Sequence, residues 1–405
     1  MPSLATRTLL NKPRSAVALT VSGNETADTF GVSRFTNTQG DGITFPGKSV
    51  GIWRAATNLT DNGNATTNTT GITDNSSTTT RVTSGTVKFG STAFSVVSSN
   101  LAANEGPSQL INGGVGSTQY TVSAWAWLTS GAATVRATLF DSVGGKQGGT
   151  AVALTTTPQR VTVTATTGAL GINEASYIET TVQAVGTWRI GGWQVETGAE
   201  ATPYVETDGA GATRAIGRVR HTFGADIDET QFWLAARITP RWAGADGVWH
   251  SLFEWADDGN NGFLLHKNAA DNLWRFGRFA GGAGAYATAA AGHAASESVT
   301  VVAFCNATTV KISIDGAAFT SVANTSIPTL AALTVDVGRE PVNSVATALG
   351  GQLLWLALGR DALSAADAAW FHRIGTGGGV PDLYECSGDA TFVWDARNAV
   401  AVRRG

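Results

Sequence analysis

Apolar and polar residues alternate with a period of two through the middle of the chain. Tyr120, Val122, Ala124, Ala126 and Leu128 fall on one side of segment 120–129, and Thr121, Ser123, Trp125, Trp127 and Thr129 on the other, the pattern of a half-buried β-strand. Val135, Ala137 and Leu139 repeat the apolar side against Thr134, Arg136, Thr138 and Phe140, and Val161, Val163 and Ala165 repeat it against Arg160, Thr162 and Thr164. Three such strands predict a sheet with an aliphatic core face and a surface face of Thr, Arg and aromatic residues. Trp193 and Val195, alternating with Gln194 and Glu196, read as the last strand of this domain, because Gly198 and Pro203 break the ladder after them. Trp188 and Trp193 keep apolar company and are expected in the core.

The same period returns further on. Phe232, Leu234, Ala236 and Ile238 alternate with Gln231, Trp233, Ala235 and Arg237, and 249–255 reads as the next strand. Asp257-Asp258-Gly259-Asn260-Asn261-Gly262 is a hairpin turn, since Asp-Gly and Asn-Gly supply the positive φ such turns need. Asp315-Gly316 after Val310–Ile314 predicts a second one. Ser364 with Asp367 has the spacing of a capping box and predicts a short helix through His372. Between the two sets of strands, 208–214 is small and polar, a linker composition.

A chain of 405 residues exceeds what one core usually serves. Residues 1–50 carry Pro13, Gly23, Gly31, Gly40, Gly42 and Pro46, too much punctuation for an independent core, and read as an arm that either docks on a neighbouring subunit or folds back on its own domain. The glycine run from Gly377 opens a C-terminal extension, in which 390–394 is expected to add an edge strand.

The junction carries a resemblance. Trp193-Gln-Val-Glu196-Thr-Gly198, then Ala201-Thr-Pro203-Tyr204, then Ala212-Thr-Arg214 before a new β domain looks like the junction of many bacteriophage virion proteins, in which a carbohydrate-binding-module-like jelly roll precedes a laminin G-like, concanavalin-like one. Ala55-Ala56-Thr57-Asn58-Leu59 is similar to the segment that opens the first module, and Val310–Gly316 resembles the strand and Asp-Gly turn of the second. With the alternation, this gives an all-β chain of two tandem β-sandwich jelly rolls: an arm over 1–50, the first jelly roll over 51–207, the second over 208–376 and an extension over 377–405. The resemblance implies a tail-associated or capsid-decorating protein, made in the host cytoplasm and carried in the virion, whose partners are other virion proteins, copies of itself and cell-surface polysaccharide.

Composition narrows the chemistry. A net charge of −4 gives no electrostatic reason to bind nucleic acid or an anionic membrane, and no apolar run approaches the ~20 residues of a membrane span. Arg7, Lys12 and Arg14 before a short apolar run faintly suggest a signal peptide, but Thr20 interrupts it and an arm or first strand is the better reading. Cys305 and Cys386 lack zinc-ligand spacing and read as buried free thiols. The sequons at Asn58, Asn64, Asn68 and Asn75 read as turn and strand polar residues. No paired-carboxylate strand, His-Glu-x-x-His, nucleophile elbow or phosphate loop is present, so no catalytic residues are expected.

Binding is the chemistry that remains. Sugar C–H faces pack on aromatic rings while hydroxyls pair with Arg, Glu and Gln, so Trp125 and Trp127 with Arg136, Glu179 and Gln183 are the candidate glycan groove. The competing reading puts both tryptophans beneath a covering loop or a neighbouring subunit. Jelly rolls of the resembled types often hold a structural calcium ion, for which Asp257, Asp258, Asn260 and Asn261 are the best oxygen cluster; the hairpin turn is the better explanation of them. Two other classes stay open. A glycan-degrading enzyme, or its accessory subunit, would show two facing carboxylates in a cleft within 215–376. A virion cement protein would grip only other subunits.

Overall fold

The computed structural model describes residues 54–377 apart from 55, 66–67, 70, 85–91, 170–173, 203, 206, 208, 215–217, 223–227, 332–333, 339–347 and 361, together with the backbone of short strands on either side. Pro203 and Cys386 lie outside the described residues, as does most of 1–50. Among the described residues the regular structure is β-strand apart from one α-helix, and the chain divides into two compact units, 55–215 and 1–54 with 216–405.

The first unit is a sandwich. One sheet runs in the order Gln159–Thr166, Gln119–Ala132, Ala184–Thr197, Ala93–Leu101, Thr78–Val82. The other runs Gly145–Gly148, Thr134–Asp141, Ala175–Thr180, Gly106–Leu110, Ile72–Asn75, with Val152–Ala153 also paired to Thr134–Asp141. Val122, Ala124 and Ala126 from the first sheet meet Val135, Ala137, Leu139 and Ile178 from the second, with Trp188 and Trp193 fully buried among them. The aliphatic sides expected from the alternation are the inner faces.

Asn58 ties the unit's opening segment to its closing strand. Its side-chain amide donates to the carbonyls of Trp193 (3.1 Å) and Val205 (2.9 Å), while its Oδ1 accepts from the Val195 N–H (3.1 Å). Fully buried and engaged in this way, Asn58 has a structural role, and Asn64 is buried too.

The second unit stacks a ten-stranded sheet on an eight-stranded one. Phe232 is the centre of its core, with the rings of Phe263, Trp255, Phe253 and Phe276 at 4.9, 5.8, 6.1 and 6.1 Å. On the outer side of the ten-stranded sheet, helix Ala365–Thr376 packs Phe371 against Trp233 and Trp355. Ser364 caps it in the expected capping box, and the helix runs one turn beyond His372. Cys305 is buried and free as expected, and burial pushes the thiol up to about 12.

Of the two alternatives for segment 1–50, docking on a neighbour or folding back, the described strands follow the second and join this unit's sheets: Arg14–Ala16 pairs with Val400–Arg404, Thr20–Ser22 with Arg218–Thr222, and Val50–Ile52 with Gly351–Gly359. Strand Ala390–Asp395 is interior, paired on both sides, where an edge strand was expected. Both strand additions are long-range pairings, which leave no local signal.

Candidate functional site

The five residues expected to form one groove lie on opposite outer faces of the first unit. Trp125 and Trp127 alternate with core residues of strand Gln119–Ala132 and point out of one sheet; Arg136 and Glu179 do the same in the other. Trp127 is 1% exposed. A Cβ built on Gly191 would sit 3.4 Å from its ring and 3.0 Å from Asn64 Oδ1, so a glycine and a buried asparagine flank the indole. Trp125 is half-buried beside the Arg160 guanidinium, 6.0 Å from its centroid.

The chain itself covers that face. Arg160 donates to the carbonyls of Ala201 and Thr202, and Thr121 and Thr164 donate to those of Gly198 and Ala199. Buried Glu196 accepts from the Thr202 N–H (2.8 Å) and hydroxyl (2.8 Å). The segment after the closing strand therefore folds back over the sheet at Thr121, Arg160 and Thr164. Gln183 is exposed and follows strand Ala175–Thr180 in a turn, outside the ladder in which sequence placed it.

The other outer face is open and brings Arg136 and Glu179 together, since they are cross-strand partners. Glu179 is fully buried. Its Oε1 accepts from Arg136 Nη2 (2.9 Å) and Nε (3.1 Å) and from the Thr138 hydroxyl (2.8 Å), and its Oε2 from Lys146 Nζ (2.5 Å). Burial pushes the carboxyl pKa up, but the hydrogen bonds from Lys146, Thr138 and Arg136 outweigh burial and hold it below the usual carboxylate range. Lys146 Nζ stands 4.4 Å over the Tyr177 ring, which meets Phe140 edge to face at 6.3 Å. Gly148 leaves room for the guanidinium, as a Cβ there would come within 2.6 Å of Arg136 Cζ. Two half-buried rings and two partly exposed cations, pinned by one buried carboxylate, make a rigid polar and aromatic surface.

Replacing Glu179 with Gln should release both cations. Arg136 and Lys146 keep 27% and 31% of their side chains exposed and can rehydrate, so the expected cost is about 2 kcal/mol, below the 3–5 of a fully enclosed pair. Urea denaturation of Glu179→Gln measures it; an unchanged midpoint would mean the carboxylate is not the anchor.

Sequence reasoning missed Lys146, Tyr177 and Phe140 as a group. They come from three strands, and only the register, with Phe140 opposite Lys146 and Thr138 opposite Tyr177, collects them. It also missed a row of rings on the outer side of the eight-stranded sheet. Phe279, Tyr286, His266 and Trp249 follow one another at centroid separations of 4.9, 5.5 and 4.7 Å. Gly277 lets the Tyr286 ring lie flat, since a Cβ would meet it at 2.4 Å.

The oxygen cluster at 257–262 is a hairpin. Asp258 Oδ1 accepts from the N–H groups of Asn260 (2.7 Å) and Asn261 (2.9 Å), and Asp257 accepts from the Ala331 N–H (2.7 Å). The positive φ sits at Gly262 (158°), where a Cβ would strike Ala256, and not at Gly259 or Asn260. Asp315 (50°) and Gly316 (75°) do both take positive φ in the second turn. Among the described residues no three His, Cys, Asp or Glu side chains converge as a metal would need.

Two groups in the second unit have the residue types of catalysis. Asp246 accepts from His250 Nε2 (2.7 Å) and from the buried Lys267 ammonium, which also donates to the Val248 carbonyl. Burial raises the Asp246 pKa, but the bonds from His250 and Lys267 hold it down at about 2. His250 is buried and stacked on Trp242 at 3.9 Å, so the cluster clamps a loop. Glu254 and Asp336 stand opposite each other on neighbouring strands, the facing carboxylates a glycosidase would need. At 2% and 4% exposure they are closed to a polysaccharide.

No protein-family model and no curated protein matches the chain. Among solved structures it is similar to the CBM22-1 xylan-binding domain of Xyn10C from Paenibacillus barcinonensis (16% identity, 36% of this chain and 94% of that one, TM-score 0.28). It is also similar to domain 4 of AbnA, an extracellular GH43 arabinanase from Geobacillus stearothermophilus, in complex with arabinotriose (14% identity, 43% and 82%, TM-score 0.33). The tandem CBM22-1-CBM22-2 domain of the same Xyn10C matches at 12% identity over 78% of this chain and 92% of that one, with a TM-score of 0.31. Likenesses this slight assign no ligand, which has to be read from the chain's own residues.

Proposed function

We propose that this chain is a non-catalytic glycan-binding protein whose contact surface is the outer face built on Arg136, Lys146, Tyr177 and Phe140. The observation that carries the reading is the fully buried Glu179, which holds two cations beside two half-buried rings on one outer face. A purely structural surface has no need of a buried ion pair there, because an apolar replacement of similar volume is often as stable. Ring faces take the C–H side of a sugar and the fixed donors take its oxygens.

The setting we propose is a virion, as a tail-associated or capsid-decorating component that attaches to host-surface polysaccharide. It rests on the junction sequence around Trp193–Tyr204 and on its resemblance to phage proteins. Trp127, buried within its own unit, has no part in adhesion on this reading.

A polysaccharide array probed with the full chain and with Tyr177→Ala tests it. Binding should appear for at least one polysaccharide and weaken about tenfold in Tyr177→Ala, in line with ~1–1.5 kcal/mol for a lost ring contact. Binding that Tyr177→Ala leaves intact but Trp249→Ala abolishes would move the surface to the ring row of the second unit. Release of reducing sugar would replace the reading with an enzymatic one.

A further inference from the structure

Asp141 and Glu174 meet inside one end of the first sandwich. Phe140 pairs across to Ala175, and Asp141 follows the one while Glu174 precedes the other, so the two acids stand opposite each other one step beyond that pair. Phe140 and Tyr177 face out, which turns Asp141 and Glu174 inward. They are 0% and 3% exposed. Like charges opposed across a ladder repel, and burial sharpens the repulsion. Among the described residues no Lys, Arg or His bonds to either acid.

The backbone accommodates Asp141. Its Oδ1 accepts from the N–H groups of Val143 (2.9 Å) and Gly144 (2.5 Å), and its Oδ2 has the Gln147 amide at 3.4 Å. Burial raises its pKa, but the N–H groups of Gly144, Val143 and Gly168 outweigh burial and hold it down. Glu174 has no such partners, and neither of its oxygens receives a hydrogen bond. The Thr167 hydroxyl beside it spends its one hydrogen on the carbonyls of Val115 (3.0 Å) or Thr118 (3.1 Å), and the Tyr120 hydroxyl turns to the Val115 backbone. Burial, and then the Asp141 charge, push the Glu174 carboxyl up. A proton would leave its second oxygen bare and add an O–H with no acceptor. A divalent cation held by both oxygens satisfies the two together and offsets both acids.

Bare backbone crowds the pair. A Cβ built on Gly114 would lie 1.7 Å from Glu174 Oε2, one on Gly144 2.6 Å from Asp141 Oδ2, and one on Gly168 3.2 Å from Asp141 Oδ1. Three loops therefore bring peptide groups up to the carboxylates. Two acids fall short of the three side chains that zinc collects, whereas a hard cation completes its shell with carbonyls and water.

We propose that Asp141 and Glu174 bind a calcium ion at the end of the first unit, Glu174 through both oxygens. Calcium suits the pair better than magnesium because it takes bidentate carboxylates and irregular shells. The bound ion would fix the strand ends beneath Phe140, whatever the outer face holds.

Titration and scanning calorimetry of the full chain, stripped with EDTA and dialysed, test the idea. Calcium chloride should bind at one ion per chain. At about a hundredfold excess over its dissociation constant it should raise the first unit's melting temperature by roughly 5–10 °C, and magnesium chloride should raise it less. Glu174→Gln keeps the shape and removes the charge. It should abolish the calcium response, yet melt in EDTA no lower than the stripped parent, because the opposed charges are gone. Asp141→Asn should weaken calcium binding tenfold or more, and serves as the second reading if Glu174→Gln fails to fold. Asp258→Asn, in the 257–262 hairpin, should respond to calcium as the parent does. A parent indifferent to calcium, a Glu174→Gln or Asp141→Asn chain that responds as the parent does, or a response lost in Asp258→Asn overturns the assignment.

Discussion

Phe232→Ala should unfold the second unit's core more severely than any other single truncation in it. The ring is fully buried and lies within 6.1 Å of four others, so removing it empties a cavity walled by rigid aromatic rings that collapse poorly. The expected loss is about 3–5 kcal/mol, or roughly 10 °C in melting temperature for a unit of this size. Scanning calorimetry would show the transition of the second unit move while that of the first stays in place. A shift below ~1 kcal/mol would mean these five rings do not pack as one cluster.

Acid should weaken the same unit through His266. This imidazole is buried between Trp249 and Tyr286, and burial, assisted by the Arg275 charge, lowers its pKa to about 4, with Asp271 opposing. The unfolded chain protonates it at about 6.5. Between these values the unfolded state binds more protons, so stability is complete above pH 6.5 and declines as the pH falls toward 4. The loss is about 2 kcal/mol at pH 5 and about 3 at pH 4. Urea denaturation at pH 7 and pH 5 should show it, and His266→Phe should reduce the difference between the two by about that amount. Burial lowers the pKa of His250 and of His293 as well, so the variant keeps part of the slope. A variant whose pH dependence matches the parent's would remove His266 from the account.

Much of the fold was legible wherever structure is local. The alternation over 120–165 located the inner faces, because the strand period assigns a side to every residue. Ser364 and Asp367 announced the helix, and Asp315-Gly316 its turn. The candidate site was half legible. Arg136 and Glu179 were picked out as polar residues on strands, and they meet. Trp125 and Trp127 were joined to them because alternation tells which residues leave the core but not through which sheet of a sandwich. What covers an outward residue is also invisible in its own strand: the 199–202 segment that lies over Arg160 and Thr164 is found only in three dimensions. Lys146 and Tyr177 are 31 residues apart and joined only through strand Thr134–Asp141.

The pairing of Arg14–Ala16 with Val400–Arg404 bears on how the protein is made. The first unit is one uninterrupted stretch, 55–215, and can close as soon as that stretch has left the ribosome. The second is split around it, and its strand Arg14–Ala16 lacks its partner until Val400–Arg404 is synthesised. During that interval it presents a bare ladder edge, the kind of surface that seeds aggregates. Yield in a cell should therefore depend on whatever shields that strand until Val400–Arg404 has been made.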